Sequence, residues 1–478
     1  MGHFVYAYLK KNYLYIAAAI LSIILLLAGK ALAVENFQMK IGVNIGVSSG
    51  KLLGRGLTLR DSKGTRASAS EGAVVTASGA DISVGGRKLS LPVQVSAASG
   101  LGWGSTRYRG TLKIISAPGG FTVINEVALE DYLRGILKVE MSPEWPREAL
   151  KAQAVLARTF AVKNRGRYAG QGFDLDNTQN TQIYRGMNAE DKRTDAAVSE
   201  TKGQVLTWNG SPADVYYHSD SGGATADIAH VWGGASAYLK PRRERVAYIS
   251  PYSSWQISLT SAQIASAMRK IGKDVGNVTG VEVALLDEFG RAVRLRVRGD
   301  RGVADVTAHA FRMAVGSGVL RSTNFTVAGA AALPTQARTP AQAPETAAKT
   351  PAAPVWADSL AKIAEQADPL IEMTKSGVFT KEELLDMLVN PSKRESYLKI
   401  GYERLAGAAS QTGKPANPAP AGPSAPVVVP SSGSFTFNGR GWGHGVGLSQ
   451  WGAKAMADQG VKCEEILAHY FPGTKIAR

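Results

Sequence analysis

Cysteine is almost absent: Cys463 is the only one among 478 residues. That excludes an intrachain disulfide and a cysteine-based zinc site, so the fold must stand on its core. Acidic side chains are also in deficit, 39 against 55 basic ones, for a net charge of +16. Such a balance favours a polyanionic neighbour: nucleic acid, an anionic membrane surface or an acidic wall polymer. The basic residues are scattered, apart from clusters at 240–245 and 291–301. No helix-turn-helix, zinc-finger or RNP pattern is present, and nucleic acid is not expected as a partner. There is no internal repeat. What is present, at 44% hydrophobic and 20% charged residues, is ordinary globular composition with length for more than one domain.

The first 33 residues bear on compartment. Lys10 and Lys11 precede the apolar run Tyr13–Gly29, and Ala31-Leu32-Ala33 has the small-residue spacing of a signal peptidase site. Two readings follow, a signal peptide cut after Ala33 or a membrane anchor at 13–29, a run close to the lower length limit for a span. Either places the remainder outside the cytoplasm, secreted to the wall or anchored to the membrane.

Residues 38–125 read as β, with short alternating runs separated by Gly, Ser and Asn turns. Residues 128–169 switch to helical periodicity, and 200–327 mix strands with a helix near 261–271. After Val327 the composition turns Ala/Pro-rich. Residues 328–432 read as linkers around a small helical insert at 356–408, where Leu360, Ile363, Ala364 and Ala367 share a face and Thr380 with Glu383 forms a capping-box pattern. "LRSTNFTV" (320–327) and "GSFTFNGRG" (433–441) read as strands of the main domain, so the insert leaves and returns at neighbouring points. The expected class is α+β: mixed, mostly antiparallel sheets around a few core helices, with the Ala/Pro-flanked insert.

"ALEDYLRGILKVEMSPEWPREALKAQAVLARTFAVKNR" (128–165) is the most informative stretch. Leu129, Leu133, Ile136 and Leu137 form one apolar stripe, and Glu140 falls on it at i+11. "SPEWP" must end the helix there, so desolvation and the negative end of the helix dipole both act to raise the Glu140 pKa. A carboxyl kept protonated near neutrality suits a general acid; a frayed helix end reaching water is the other reading. Glu144, behind Ser142 as N-cap, is expected in the first turn of the next helix, ionised and exposed. That helix is alanine-rich and therefore closely packed. Its Lys151, Gln153 and Arg158 either bind substrate near Glu140 or merely pack their stems.

Near the C-terminus, "GRGWGHGVGLSQWGA" (439–453) sets five glycines at alternate positions. Glycines so placed let a sugar or another strand approach the main chain. Trp442 is a candidate stacking platform, and His444 and Gln450 are candidate donors. "YYHSDSGG" (216–223) adds Tyr217, His218, Ser219 and Ser221. A packing crossover with Trp and His in the core is the competing reading. His218 with a nearby serine has the residue types of a serine hydrolase, but no G-x-S-x-G elbow accompanies them.

These stretches, with "VSETKGQVLTWNGSPADVYYHSDSGGATADIAHVWGG" (198–234), resemble the SpoIID/LytB family of cell-wall proteins over about 38–327 and 433–475. The resemblance implies a peptidoglycan lytic transglycosylase with Glu140 as its single acid/base, and that both loops flank it. The other activity in the family is non-catalytic: binding the wall and stimulating an N-acetylmuramoyl-L-alanine amidase. The implied partners are glycan strands and a cell-wall amidase or other wall-remodelling protein. Some family members carry a zinc-binding Cys segment where this chain reads "DNTQNTQIYRG" (176–186). Thr and Asn are poor zinc ligands, so no metal and no cofactor are expected.

Overall fold

The computed structural model describes residues 37–328 and 433–478. The expected leader (1–33) and helical insert (356–408) lie outside the described residues.

The first ninety described residues fold as two sheets because their sequence alternates. Leu57–Arg60 and Val93–Ser96 each bury every second side chain, Leu57, Leu59, Val93 and Val95 being at most 1% exposed. A seven-stranded sheet runs, in spatial order, 175–176, 38–47, 120–128, 111–117, 93–96, 57–60 and 66–69. A six-stranded sheet runs 106–107, 99–103, 49–55, 74–78, 81–84 and 87–90. Pairing is antiparallel except where Ile41 and Gly42 lie parallel to Leu175 and Asp176. The class is α+β.

Eight α-helices are described: α1 (Leu129–Glu140), α2 (Arg147–Lys163), α3 (Lys192–Glu200), α4 (Ile228–Val231), α5 (Ser261–Lys270), α6 (Ala308–Val315), α7 (Gln450–Asp458) and α8 (Cys463–Tyr470). None is long and apolar enough to cross a membrane. Helix α1 follows directly from the strand Gly120–Ala128 and buries the stripe read from its sequence, with Leu129, Leu133, Ile136 and Leu137 at most 1% exposed. Burial of each such side chain contributes roughly 1.5–3 kcal/mol. The helix stops at Glu140 because Met141 is extended (φ −134°, ψ 143°) and Ser142 precedes a proline, which disfavours helical dihedrals.

The start of α2 corrects the sequence expectation. The helix begins at Arg147, after Pro146 (φ −54°), and no side chain caps it. Ser142 Oγ accepts the Glu144 N–H at 3.3 Å in a separate turn. Two prolines in the connection delay helical hydrogen bonding, so Glu148, not Glu144, occupies the first turn. Glu144 is exposed and pairs with Arg193.

One hydrophobic core joins the two large sheets to α1, α2, α7 and α8. A second lies among α5, α6 and the strands between 255 and 327. The strand Ser434–Gly439 belongs to that second core. It is flanked antiparallel by Trp255–Thr260 and Phe325–Val327, with both Trp255 and Phe325 in register with Gly439. The chain therefore leaves at Val327 and re-enters at Ser434 on adjacent strands.

Candidate functional site

Glu140 is the last residue of α1 and is half-buried. Two side chains distant in sequence converge on it. Tyr217 Oη donates to Oε1 at 3.4 Å, and Gln450 Nε2 donates to Oε2 at 3.4 Å. Behind Tyr217 the contacts continue: Gln182 Nε2 reaches the Tyr217 hydroxyl at 3.3 Å and the Ala157 carbonyl at 3.2 Å, and Tyr132 Oη donates to Gln182 Oε1 at 3.3 Å. Burial pushes the Glu140 carboxyl up to about 7. The Gln450 and Tyr217 bonds favour the charged form, but at 3.4 Å they are long and offset only part of that desolvation. Tyr132 and Tyr217 are held well above the usual phenol range, first by burial, and stay neutral donors.

The convergence is made by a short parallel pairing. Tyr217–His218 lies beside Leu448–Ser449, with Tyr217 opposite Leu448 and His218 opposite Ser449. Gln450 opens α7 immediately afterwards, with Ser449 as its N-cap through the Gly452 N–H. The glycines of 439–447 make room for this crossing by the protein's own chain. Gly447 has φ +73°, and a Cβ there would run into the Tyr216 backbone; at Gly443 (φ +123°) it would meet His218 Cβ at 2.6 Å. The approaching partner is a strand. Gly447→Ala is expected to cost about 2 kcal/mol or more, from left-handed strain plus backbone clash. Gly460→Ala, with φ +82° and open space around it, should show only the smaller strain cost. Urea midpoints of the two variants provide the comparison; equal losses would remove the clash argument.

Period-two alternation also sorts the histidines. Tyr217 turns to Glu140, whereas His218 sits 4% exposed with Nδ1 3.2 Å from the Val446 carbonyl oxygen. Burial, then His444 and Arg291, hold His218 well below the ordinary imidazole range. His444 uses both ring nitrogens on backbone: Nε2–H donates to the Tyr217 carbonyl at 3.0 Å, and Nδ1 accepts the Val446 N–H at 3.0 Å, a tautomer assigned from that network. Burial and Arg312 push it down to about 3. His444 thus has both ring nitrogens engaged by backbone, whereas His218 engages Nδ1 and leaves Nε2 buried without a partner.

The remaining sequence candidates divide. Gln450 and Tyr217 touch Glu140; Ser219 is half-buried, and its carbonyl accepts the Trp451 N–H at 3.0 Å. Gln153, fully buried with both amide atoms unpartnered, lies one turn before Ala157 on α2. Three others serve structure. Lys151 pairs with Glu148 at 3.1 Å, and Glu148 also takes the Cys463 N–H at the start of α8. Arg158 is 0% exposed and bidentate to Glu130 at 2.8 and 2.7 Å. Ser221, also 0% exposed, donates to Glu244 Oε1 at 2.5 Å. Trp442 meets the Tyr252 ring at 4.7 Å between centroids and carries Arg321 5.3 Å from its own, so an expected stacking face is already covered.

Several residues escape sequence reading. Tyr132 and Gln182 carried no motif signal. Trp145 and Trp451 flank the site in sequence, beyond Glu140 and Gln450, and pair at 5.0 Å between centroids. Glu244 is a second carboxyl pushed up to about 7 by burial, accepting from Ser221 and, at 2.5 Å, from Tyr470. In the segment of the expected missing cysteines, the Asp176 carboxylate accepts from the Thr178 N–H, Thr178 Oγ1, Asn180 Nδ2 and Thr181 Oγ1. These polar groups are spent on a turn. A recess lined by Trp255, Phe289, Phe325 and Arg440 belongs to the second core and does not include Glu140.

The sequence profile of the stage II sporulation protein family, SpoIID, matches residues 117–208, a span containing Glu140, α1 and α2. The stage II sporulation protein D of Bacillus subtilis is 30% identical over 195 residues, 36% of this chain and 57% of its own. Over these residues the chain is similar to the SpoIID family of sporulation proteins. The amidase enhancer of Bacillus subtilis is 25% identical over 347 residues, 72% of this chain and 40% of its own. An uncharacterised protein of Brachyspira hyodysenteriae is 30% identical over 223 residues, 46% of this chain and 59% of its own. The chain thus spans between 40% and 59% of the length of these three relatives.

Proposed function

We propose that this protein is an exported peptidoglycan lytic transglycosylase in which Glu140 acts as both acid and base. The reading is carried by one observation: a half-buried carboxyl pushed up to about 7 at the end of a helix, between two neutral donors. A carboxyl protonated near neutrality gives its proton to the glycosidic oxygen between N-acetylmuramic acid and N-acetylglucosamine as the C1–O bond breaks. The muramic C6 hydroxyl then bonds to C1 and returns its proton to the carboxylate. The product is a 1,6-anhydro end, no water is consumed, and no second carboxylate is required to activate one. The leader at 1–33 would deliver the chain to the wall or hold it at the membrane through 13–29.

The likeness to an amidase enhancer over 72% of the chain supports a second reading, a wall-binding protein without catalysis that stimulates an N-acetylmuramoyl-L-alanine amidase. Purified protein incubated with glycan strands, with and without stem peptides, separates the two by mass spectrometry. Anhydro-muramyl ends from the protein alone are expected. Their absence, together with faster cleavage by an added amidase, would leave only the enhancer.

A further inference from the structure

The Trp145–Trp451 pair takes no part in the proton chemistry of Glu140, yet one member follows Glu140 by five residues and the other follows Gln450, which touches it. Trp145 lies five residues beyond Glu140, in the turn closed by its N–H on the Ser142 carbonyl at 3.0 Å. Trp451 follows Gln450, whose amide touches Glu140. The rings meet at 62°, and both residues are half-buried. An edge-to-face contact leaves one ring with neither face against its partner. The core tryptophans Trp103 and Trp255 donate their indole N–H to Asn44 at 3.1 Å and to the Gly441 carbonyl at 2.9 Å. Among the described residues, neither Trp145 nor Trp451 has such an acceptor. Lys454 Nζ stands over the Trp451 ring, 6.0 Å from its centroid, and is tied to Asp458 at 2.6 Å, so the ring it leaves uncovered in the pair is that of Trp145.

An indole with an uncommitted face and an uncommitted N–H matches a ligand that is apolar on a flat side and polar at its edge. A gluco-configured pyranose is such a ligand: its substituents are equatorial, so its faces present only C–H groups and its rim presents hydroxyl and acetamido oxygens. We propose that Trp145 and Trp451 form a platform for one β-1,4-linked N-acetylhexosamine ring of the strand whose adjacent linkage reaches Glu140. The assignment rests on the glycan reading of the Glu140 site and extends it to a binding residue pair.

The test uses the full chain carrying Glu140→Gln, so that binding is read without turnover, titrated by calorimetry with chitotetraose and with peptide-free glycan strands. Trp145→Ala and Trp451→Ala, each added to that background, are expected to weaken binding about tenfold, the size of one aromatic contact. Trp451→Phe should retain part of the affinity and guards against a variant that fails to fold. Trp232→Ala removes a 45% exposed indole outside the pair and should leave affinity within about twofold. Binding within about twofold of the parent for both alanine variants, with unchanged circular dichroism, overturns the platform. Wild-type production of anhydro ends in that case leaves the Glu140 reading standing. If wild type yields no such ends and Glu140→Gln binds neither glycan, the glycan reading falls and takes the platform with it.

Discussion

Glu140→Gln is expected to lower the formation of 1,6-anhydro ends by about 10³-fold or more, while making the protein more stable than wild type above pH 7. The two effects share a cause. Burial raises the folded-state pKa from the ordinary glutamate value of 4.5 to about 7. A raised carboxyl contributes its stability fully below the unfolded value and loses it as pH climbs through the folded one, because the folded chain must then surrender a proton it holds. At about 1.4 kcal/mol per unit the loss is about 3 kcal/mol at most, and less here because Glu140 keeps some contact with water. Gln cannot ionise, so thermal midpoints of variant and wild type should agree near pH 5 and separate by pH 8. Catalysis follows the same proton, and the wild-type rate should fall as pH rises through 7. Glu244 titrates in the same window, so the wild-type slope is shared between two groups, and Glu140→Gln removes only its own part. Carbon-13 spectra of the glutamate carboxyls provide the direct check. A Glu140 midpoint near 4.5, or undiminished activity in the Gln variant, would sink the acid/base role.

Arg158→Met should destabilise the fold by about 3–5 kcal/mol without a specific effect on glycan binding. The guanidinium is 0% exposed and, besides both Glu130 oxygens, donates to Val198 O at 3.2 Å and Gln204 O at 3.2 Å. Its removal strands the Glu130 carboxylate, 15% exposed, and takes a donor from the Val198 and Gln204 carbonyls. Arg158→Lys should recover little, since an ammonium cannot span a bidentate carboxylate and two carbonyls at once. Replacing Glu130 by Met in the same chain should restore part of the loss, because no lone charge then remains. Urea denaturation of the three variants decides the matter. A loss below about 1 kcal/mol for Arg158→Met would contradict the buried-pair account and reopen a ligand-binding role.

Periodicity pointed to Glu140 because one helix face can be counted from its own sequence: the stripe Leu129–Leu133–Ile136–Leu137 extends to position 140, and the proline-flanked break fixes the helix end. The same counting left Arg158 either binding substrate near Glu140 or packing its stem, and did not offer Glu130 as its partner. Helical phase gives a direction, but the identity of the neighbour depends on which element packs there. Glu144 was misplaced for a local reason, since prolines at 143 and 146 shift the start of α2 beyond the serine that resembles an N-cap.

The glycine-rich loop shows the boundary most clearly. Its spacing alone told that something approaches the backbone closely, whether a sugar or a strand. Only the parallel pairing of Tyr217 with Leu448 decided for a strand. That register turns Tyr217 and Gln450 to the carboxyl and consigns His218 and His444 to backbone partners. Contacts across 77 and 310 residues depend on a pairing that no local pattern encodes. The sequence by itself determined which carboxylic acid lies on the apolar stripe, the end of its helix and the class of the fold. Tertiary structure alone decided which donors surround that acid, because burial and register belong to the assembled chain.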